Sequence, residues 1–409
     1  MLKPGIKALS CLAAGTAFGL LAPAALAAPC ADLDLPNPIY GAGGSAVTAT
    51  LKAVGTALAN LDEPITILFA DPGACPGYQQ YLDNAITTTF KYWTADGTQQ
   101  TCDPPLEGQP ADFAHMGNDH DFCIGLDLPD DYPENYQESL AQVQTLNFIV
   151  DKDSSQKSIS AEALYYLYGL GAEAAGIEPW TDPTHVIMRT TGSFVHQFAA
   201  VAVFGDPARV YFDHPTTGGS GVAVQTQQEG INALLAIGET SPESPLFYVS
   251  SSAADANRAS VRTLAYQHFG QSCGYWPDSS ESALDKINVR TGKYEFWTPG
   301  HFYLRLDASG NPVNPLAGDL ISWFTGEAEP PEGVNVTELV IQSGDVPLCA
   351  MSVQREGVTG AISSYAPPVP CNGYFEKIAT GETEHEACEA DSECDDANPK
   401  CHFGFCEAY

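Results

Sequence analysis

Apolar and polar positions along the chain follow two periods, and the switch between them lays out the elements. Ile65-Thr66-Ile67-Leu68-Phe69-Ala70 is continuously apolar and partly β-branched, which predicts a buried strand. Phe148-Ile149-Val150, Val186-Ile187-Met188 and Leu246-Phe247-Tyr248-Val249 are shorter runs of the same kind. Between them lie stretches of helical period: Val47 to Leu58, Tyr78 to Thr87, Ala161 to Tyr168, Phe194 to Phe204 and Arg258 to Phe269. Ser160 stands as N-cap before the third of these, and Gly169 stops it. Strands alternating with helices predict an α/β fold with largely parallel sheets. Glu327 to Gly333, rich in Pro, Gly and Glu, and the segment after Gly381 read as linkers.

Three times a predicted strand runs through small residues into a helix: at Gly41–Ser45, at Gly73–Gly77 and at Gly192–Ser193. Each junction points backbone N–H groups and the positive end of a helix toward one place, an arrangement that favours an anion. In an open parallel sheet such junctions lie at the carboxyl ends of the strands, where ligands sit. Arg189, just before Gly192-Ser193, is the candidate cation. Taken singly, each junction is also an ordinary packing turn, and Arg189 an ordinary ion-pair partner.

Composition narrows the partners. The 409 residues are 44% hydrophobic and 17% charged, with 37 Gly and 30 Pro, a loop-rich globular chain. Seventeen basic residues face 51 acidic ones, a net charge of −34, so nucleic acid and anionic membrane surfaces would repel it. Residues 1–27 carry Lys3 and Lys7, an apolar run from Ala8 to Ala22, and Ala25-Leu26-Ala27, the pattern of a cleavable signal peptide. A periplasmic or secreted product without a membrane span is expected.

Export accounts for the twelve cysteines. With Cys11 in the signal segment an odd number remains, leaving one unpaired. Cys388, Cys394, Cys401 and Cys406 fall within the last 22 residues, which predicts a disulfide-rich module at 382–409 paired first with third and second with fourth. Cys102 with Cys123, and Cys349 with Cys371, are the other expected pairs.

Other chemistry is thin. His115 and His120 are five apart, not at the i,i+4 spacing of one helix face, so the loop to Cys123 reads as polar and disulfide-tied rather than metal-binding. Ser220 in Gly218-Gly219-Ser220-Gly221 lacks the Gly-x-Ser-x-Gly elbow. Trp276, Tyr294, Phe296, Trp297, His301 and Phe302 read as core, with a cleft mouth or partner surface as the alternative. No catalytic residue, metal or cofactor is expected, and the chain is not read as an enzyme.

Ile39-Tyr40-Gly41-Ala42-Gly43-Gly44-Ser45, Ala111-Asp112-Phe113-Ala114, Phe148-Ile149-Val150-Asp151-Lys152, Ile159 to Leu164 with Trp180, and Arg189-Thr190-Thr191-Gly192-Ser193 with Phe198 occur in this order over residues 38–345. The series resembles the phosphate-type solute-binding proteins of ABC importers, within the type 2 periplasmic binding superfamily. That resemblance implies two α/β lobes around a ligand cleft: 35–145 and 265–345 as the first, 146–264 as the second. An extension at 346–381 and the Cys-rich module follow. It further implies ligand contacts from Gly44 and Ser45, from the backbone of Ala74 and Cys75, from Asp119, from Arg189 as cationic clamp, and from Gly192 and Ser193. Two positions depart from the family: Phe194-Val195 stand where it has Gly-Thr, and Met116-Gly117 stand where an aspartate reads a protonated phosphate oxygen. The implied function is capture of a small anion, phosphate or another oxyanion or carboxylate, by a monomer that hands it to an ABC permease. The alternative is a secreted interaction or scaffold protein reusing the fold.

Overall fold

The computed structural model describes residues 27–123, 126–169, 171–190, 192–204 and 222–408. The signal-type segment, up to residue 26, and Ser220 lie outside them. The chain is mixed α/β. Strand β1 (Pro38–Gly43) leads through a 3-10 turn, Ser45–Val47, into helix α1 (Thr48–Leu58). Leu51, Val54 and Leu58 bury one stripe of that helix while Lys52 stays exposed. Strand β2 (Thr66–Ala70), buried at every position, precedes helix α2 (Ala74–Leu82). Strands β3 (Phe90–Trp93), β4 (Gln99–Asp103) and β5 (Phe113–Met116) follow, and then the 16-residue strand β6 (Tyr136–Asp151). Helix α3 (Ala161–Gly169), strand β7 (Ile187–Arg189), helix α4 (Phe194–Phe204), strand β8 (Val222–Val224) and helix α5 (Gln227–Gly238) come next. Beyond them are strand β9 (Phe247–Ser250), helix α6 (Ser251–Ala256), strands β10 (Val261–Thr263) and β11 (Ala265–Gln267), and the return strand β12 (Trp297–Arg305). Helices α7 (Pro315–Thr325), α8 (Val336–Gln342) and α9 (Asn372–Thr380) lead to a terminal hairpin, β13 (Lys400–His402) and β14 (Phe405–Glu407).

The main sheet runs β4-β3-β2-β1-β5-β12-β6-β9, with β10 also on β6. Only β1–β2 and β1–β5 within that series are parallel; β12 lies antiparallel between β5 and β6. The largely parallel sheet expected from sequence is thus a mixed one, because β6 and β12 pass between the parallel strands and the β9 region. Strand β6 is the shared spine: Tyr136 to Thr145 face β12, and Leu146 to Asp151 face β9 and β10. A bridge at Val186–Leu246 hangs β7 on β9, and β8 pairs parallel with β7. The widest core cluster crosses β6, with Phe148 stacked on Phe296 at 4.7 Å; separate clusters lie under α1 and α7 and under α5. Tyr294, Phe296, Trp297 and Phe302 are fully buried and His301 nearly so, as the core reading expects; Trp276, the sixth of that set, is only half-buried and donates its Nε1 hydrogen to Thr263 O at 3.1 Å.

Three elements depart from the sequence reading. Phe148–Val150 is the end of β6, not a short strand; Gln144, Thr145 and Asn147 are polar, yet pairing with β12 and β9 draws them into the ladder. Residues 258–269 form β10 and β11 rather than a helix. Val261 and Thr263 alternate inward and pair with Asp151 and Ile149, so an open ladder position outweighs helical spacing. Helix α2 begins four residues before Tyr78. Pro76 sits in its first turn, where no amide hydrogen is needed, and a Cβ on Gly77 would stand 2.5 Å from the backbone nitrogen of Gly43.

Among the described residues there are five disulfides: Cys30–Cys102, Cys75–Cys123, Cys349–Cys371, Cys388–Cys401 and Cys394–Cys406. Cys273 is free and exposed. The expected Cys102–Cys123 pair is wrong, since β4 lies beside Ala28–Pro29, which delivers Cys30 to Cys102. The tail pairs as expected, but the segment after Gly381 is no loose linker. Buried Glu407 accepts from Gly373 N at 2.8 Å and so holds the hairpin against the start of α9.

Candidate anion-binding site

Four chain reversals meet at the carboxyl ends of β1, β2, β5 and β7. The second and fourth touch. Gly73 has φ +125°, a conformation that favours glycine, and a Cβ there would stand 2.7 Å from Gly192 O. A Cβ on Gly192 would touch Pro76 at 3.5 Å, and one on Gly44 would touch Ala74 Cβ at 3.5 Å. The three Gly-rich junctions singled out in the sequence are therefore one place. The Cys75–Cys123 bridge ties the start of α2 to the loop leaving β5.

Gly44, Ser45, Ala74, Cys75, Gly192 and Ser193 gather there. Not every expected donor is open: Gly44 N–H donates to His115 O at 3.2 Å and Ser193 N–H to Thr190 O at 2.9 Å. What remains are the half-buried Ser45 and the buried Ser193 hydroxyls, with the first-turn amides of α2 and α4, which have no partner within their own helices.

Arg189 closes β7 and is 4% exposed. Its backbone N–H donates to Tyr248 Oη at 3.1 Å and its Nη2 to Gln225 O at 2.7 Å; Nε and Nη1 are buried without a hydrogen-bond partner. Burial pushes the guanidinium below its ordinary value, with Tyr248, Glu229 and Asp71 partly offsetting it. His196 beside it bonds Tyr248 Oη through Nδ1 at 2.9 Å, and burial together with Arg189 pushes the imidazole down to about 3, so it is neutral.

Asp119 is placed elsewhere. It caps the turn His120–Phe122, accepting from Asp121 N at 3.1 Å, and pairs with His120 Nδ1 at 2.9 Å, which holds its carboxyl down at about 2. The ligating atoms of Asp119, His120 and Asp121 lie within 4.8 Å of one another, whereas His115 packs on Phe302 in the core. The two histidines of that loop do not share a site.

Sequence reasoning missed a buried polar group under the junctions. Asn118 and Gln144 have no hydrogen-bond partner on either side-chain atom, and neither does the ring of His115, whose burial pushes it down to about 3; Gln142 beside them faces the Asp345 carboxyl. A Cβ on Gly117 would collide with Gln144 Oε1 and the Phe194 ring, so the β5 loop, β6 and the start of α4 touch. The visible signal was the run of amides inside an otherwise apolar strand. Unpaired buried polar atoms are rare in folded chains, and their clustering marks a place where water or ligand belongs.

No family model and no curated protein matches this chain. Among solved structures it is similar to an ABC-type phosphate transport receptor from Vibrio cholerae (12% identity, 75% of this chain and 99% of that one, TM-score 0.46). It is similar to a phosphate-binding protein from Stenotrophomonas maltophilia (12%, 76% and 91%, 0.46) and to OxyR from Corynebacterium glutamicum (11%, 77% and 67%, 0.39). At such identities and scores the likeness carries no information about ligand.

Proposed function

We propose that this chain is an extracytoplasmic solute-binding protein that captures a small oxyanion or carboxylate between two lobes, 35–145 with 265–345 and 146–264, for ABC-type import. The observation that carries the reading is Arg189, a buried guanidinium with two unpartnered nitrogens, on the strand that leads into one of three converging helix N-termini. A desolvated cation of that kind is expensive unless an anion completes it. Ser45, Ser193, Gly44, Gly192 and the backbone of Ala74 and Cys75 surround the anion in this reading; Asp119, already paired with His120, stands outside it. Five disulfides fit an oxidising compartment. A ligand held by the folded state alone raises the melting temperature with its concentration. A thermal-shift panel of phosphate, sulfate and small organic acids therefore tests the proposal. A saturable rise with one of them supports capture, and none across the panel rejects it in favour of a scaffold role.

A further inference from the structure

Asp119, expected at the anion site and found outside it, belongs to a second group of ligating atoms on the loop that leaves β5. His120 lies there between two carboxylates: its Nδ1 is 2.9 Å from Asp119 Oδ1 and its Nε2 3.5 Å from Asp121 Oδ1. One ligating atom from each of the three residues lies within 4.8 Å of the other two. Ligands about 2.0–2.2 Å from one zinc ion stand roughly 3.3–3.6 Å apart at tetrahedral angles, so small side-chain turns bring the three round a single ion. These atoms are open to solvent: the side chains of Asp119 and Asp121 are 33% and 82% exposed, and that of His120 15%. Asp119 Oδ1 takes both hydrogen bonds of its carboxylate, from Asp121 N at 3.1 Å and from His120 Nδ1, which leaves Oδ2 free among the described residues.

We propose that Asp119, His120 and Asp121 bind a divalent transition-metal ion of the zinc type, with water completing its coordination. The imidazole between the two acids separates this group from a solvated acidic patch: a nitrogen ligand suits zinc, whereas calcium wants six to eight oxygens. The spacing of His115 and His120 argued against a metal, but His115 is a core residue and the ligands are the chain neighbours of His120. The backbone is already fixed. His120 N–H donates to Tyr303 Oη at 3.1 Å, Cys123 N–H donates to His120 O at 2.8 Å, and Cys123 is bridged to Cys75. The rings of Tyr78, Tyr132 and Tyr303 stand 5.7, 5.3 and 5.7 Å from the imidazole and hold its orientation. Ligands carried on so constrained a turn need little reordering to bind. Glu138, which accepts from Tyr303 Oη at 3.1 Å and pairs with His301, adds a further acid behind the ring. The chain's net charge of −34 draws cations toward it.

The test is calorimetric titration of the full chain, stripped of metal with a chelator, with zinc chloride and with calcium chloride at neutral pH. Zinc is expected to saturate a site at least about tenfold more tightly than calcium. His120→Gln and Asp121→Asn should each weaken zinc binding by at least about tenfold, the loss that even an outer partner of a metal ligand brings. Asp121 is exposed, so its variant keeps the fold and decides the matter alone if His120→Gln does not fold. Unchanged zinc affinity in either folded variant places the ion elsewhere and overturns the proposal. Calcium binding as tight as zinc, or no saturable zinc binding, overturns it too.

Discussion

Replacing Arg189 by methionine should move stability and anion affinity in opposite directions. The side chain is 4% exposed, and two of its three guanidinium nitrogens lack partners. A buried, incompletely paired charge is a net burden on the empty protein, and an apolar side chain of similar length removes it. The loss is the Nη2 bond to Gln225 O at 2.7 Å, about 1.5–3 kcal/mol for a charged donor, with the desolvation penalty of the ion, several kcal/mol, regained. We expect Arg189→Met to be neutral or up to about 2 kcal/mol more stable in urea unfolding without anion. Anion affinity should fall by about 2–5 kcal/mol, roughly thirty- to several-thousand-fold. Calorimetry with phosphate and sulfate at fixed ionic strength, beside the unfolding curve, reads both. A marked loss of stability together with unchanged affinity would refute the reasoning and make Arg189 a structural residue.

Gly73→Ala should destabilise by about 1–3 kcal/mol, since φ +125° and the approach of Gly192 O leave no room for a methyl group; thermal unfolding of the variant measures it. The double variant Cys75→Ser with Cys123→Ser opens a loop of 48 residues and should lose about 4 kcal/mol on a chain-entropy argument, read by urea midpoint. Asp119→Asn should lower the pKa of His120, which its partner raises, as followed by imidazole shifts in NMR. The depressed Asp119 contributes stability present above its ordinary value near 3.8 and lost as pH falls through about 2. The raised His120 contributes stability complete below 6.5 and lost as pH rises through its folded value. The variant should therefore flatten both edges of the pH–stability profile, and an unchanged profile would count against the pair.

The parts of the fold legible in the sequence are those where local chemistry and tertiary packing agree. β2, α1 and α4 were readable because apolar runs met glycine at a junction, and those junctions do converge. The tail disulfides were readable because four cysteines in so short a span have few partners. β6 was not: Gln142, Gln144, Thr145 and Asn147 are polar by composition, and only the two flanking strands make them interior. Residues 258–269 carry spacing that suits a helix or a strand, and the free edge beside Asp151 and Ile149 decides. Cys123 could not be matched with Cys75 without knowing that β5 exits next to α2. Asn118 gives no sequence signal, since what singles it out is an unpaired amide in a buried place.

In the proposed reading, one anion completes Arg189 at the meeting of the three junctions. Crystals of the chain grown with selenate or tungstate, a tetrahedral anion with strong anomalous scattering, test this most directly. A single strong anomalous peak is expected within hydrogen-bond reach of an Arg189 guanidinium nitrogen and of the Ser45 and Ser193 hydroxyls. No peak there at saturating anion, or one at a site away from Arg189, would contradict it.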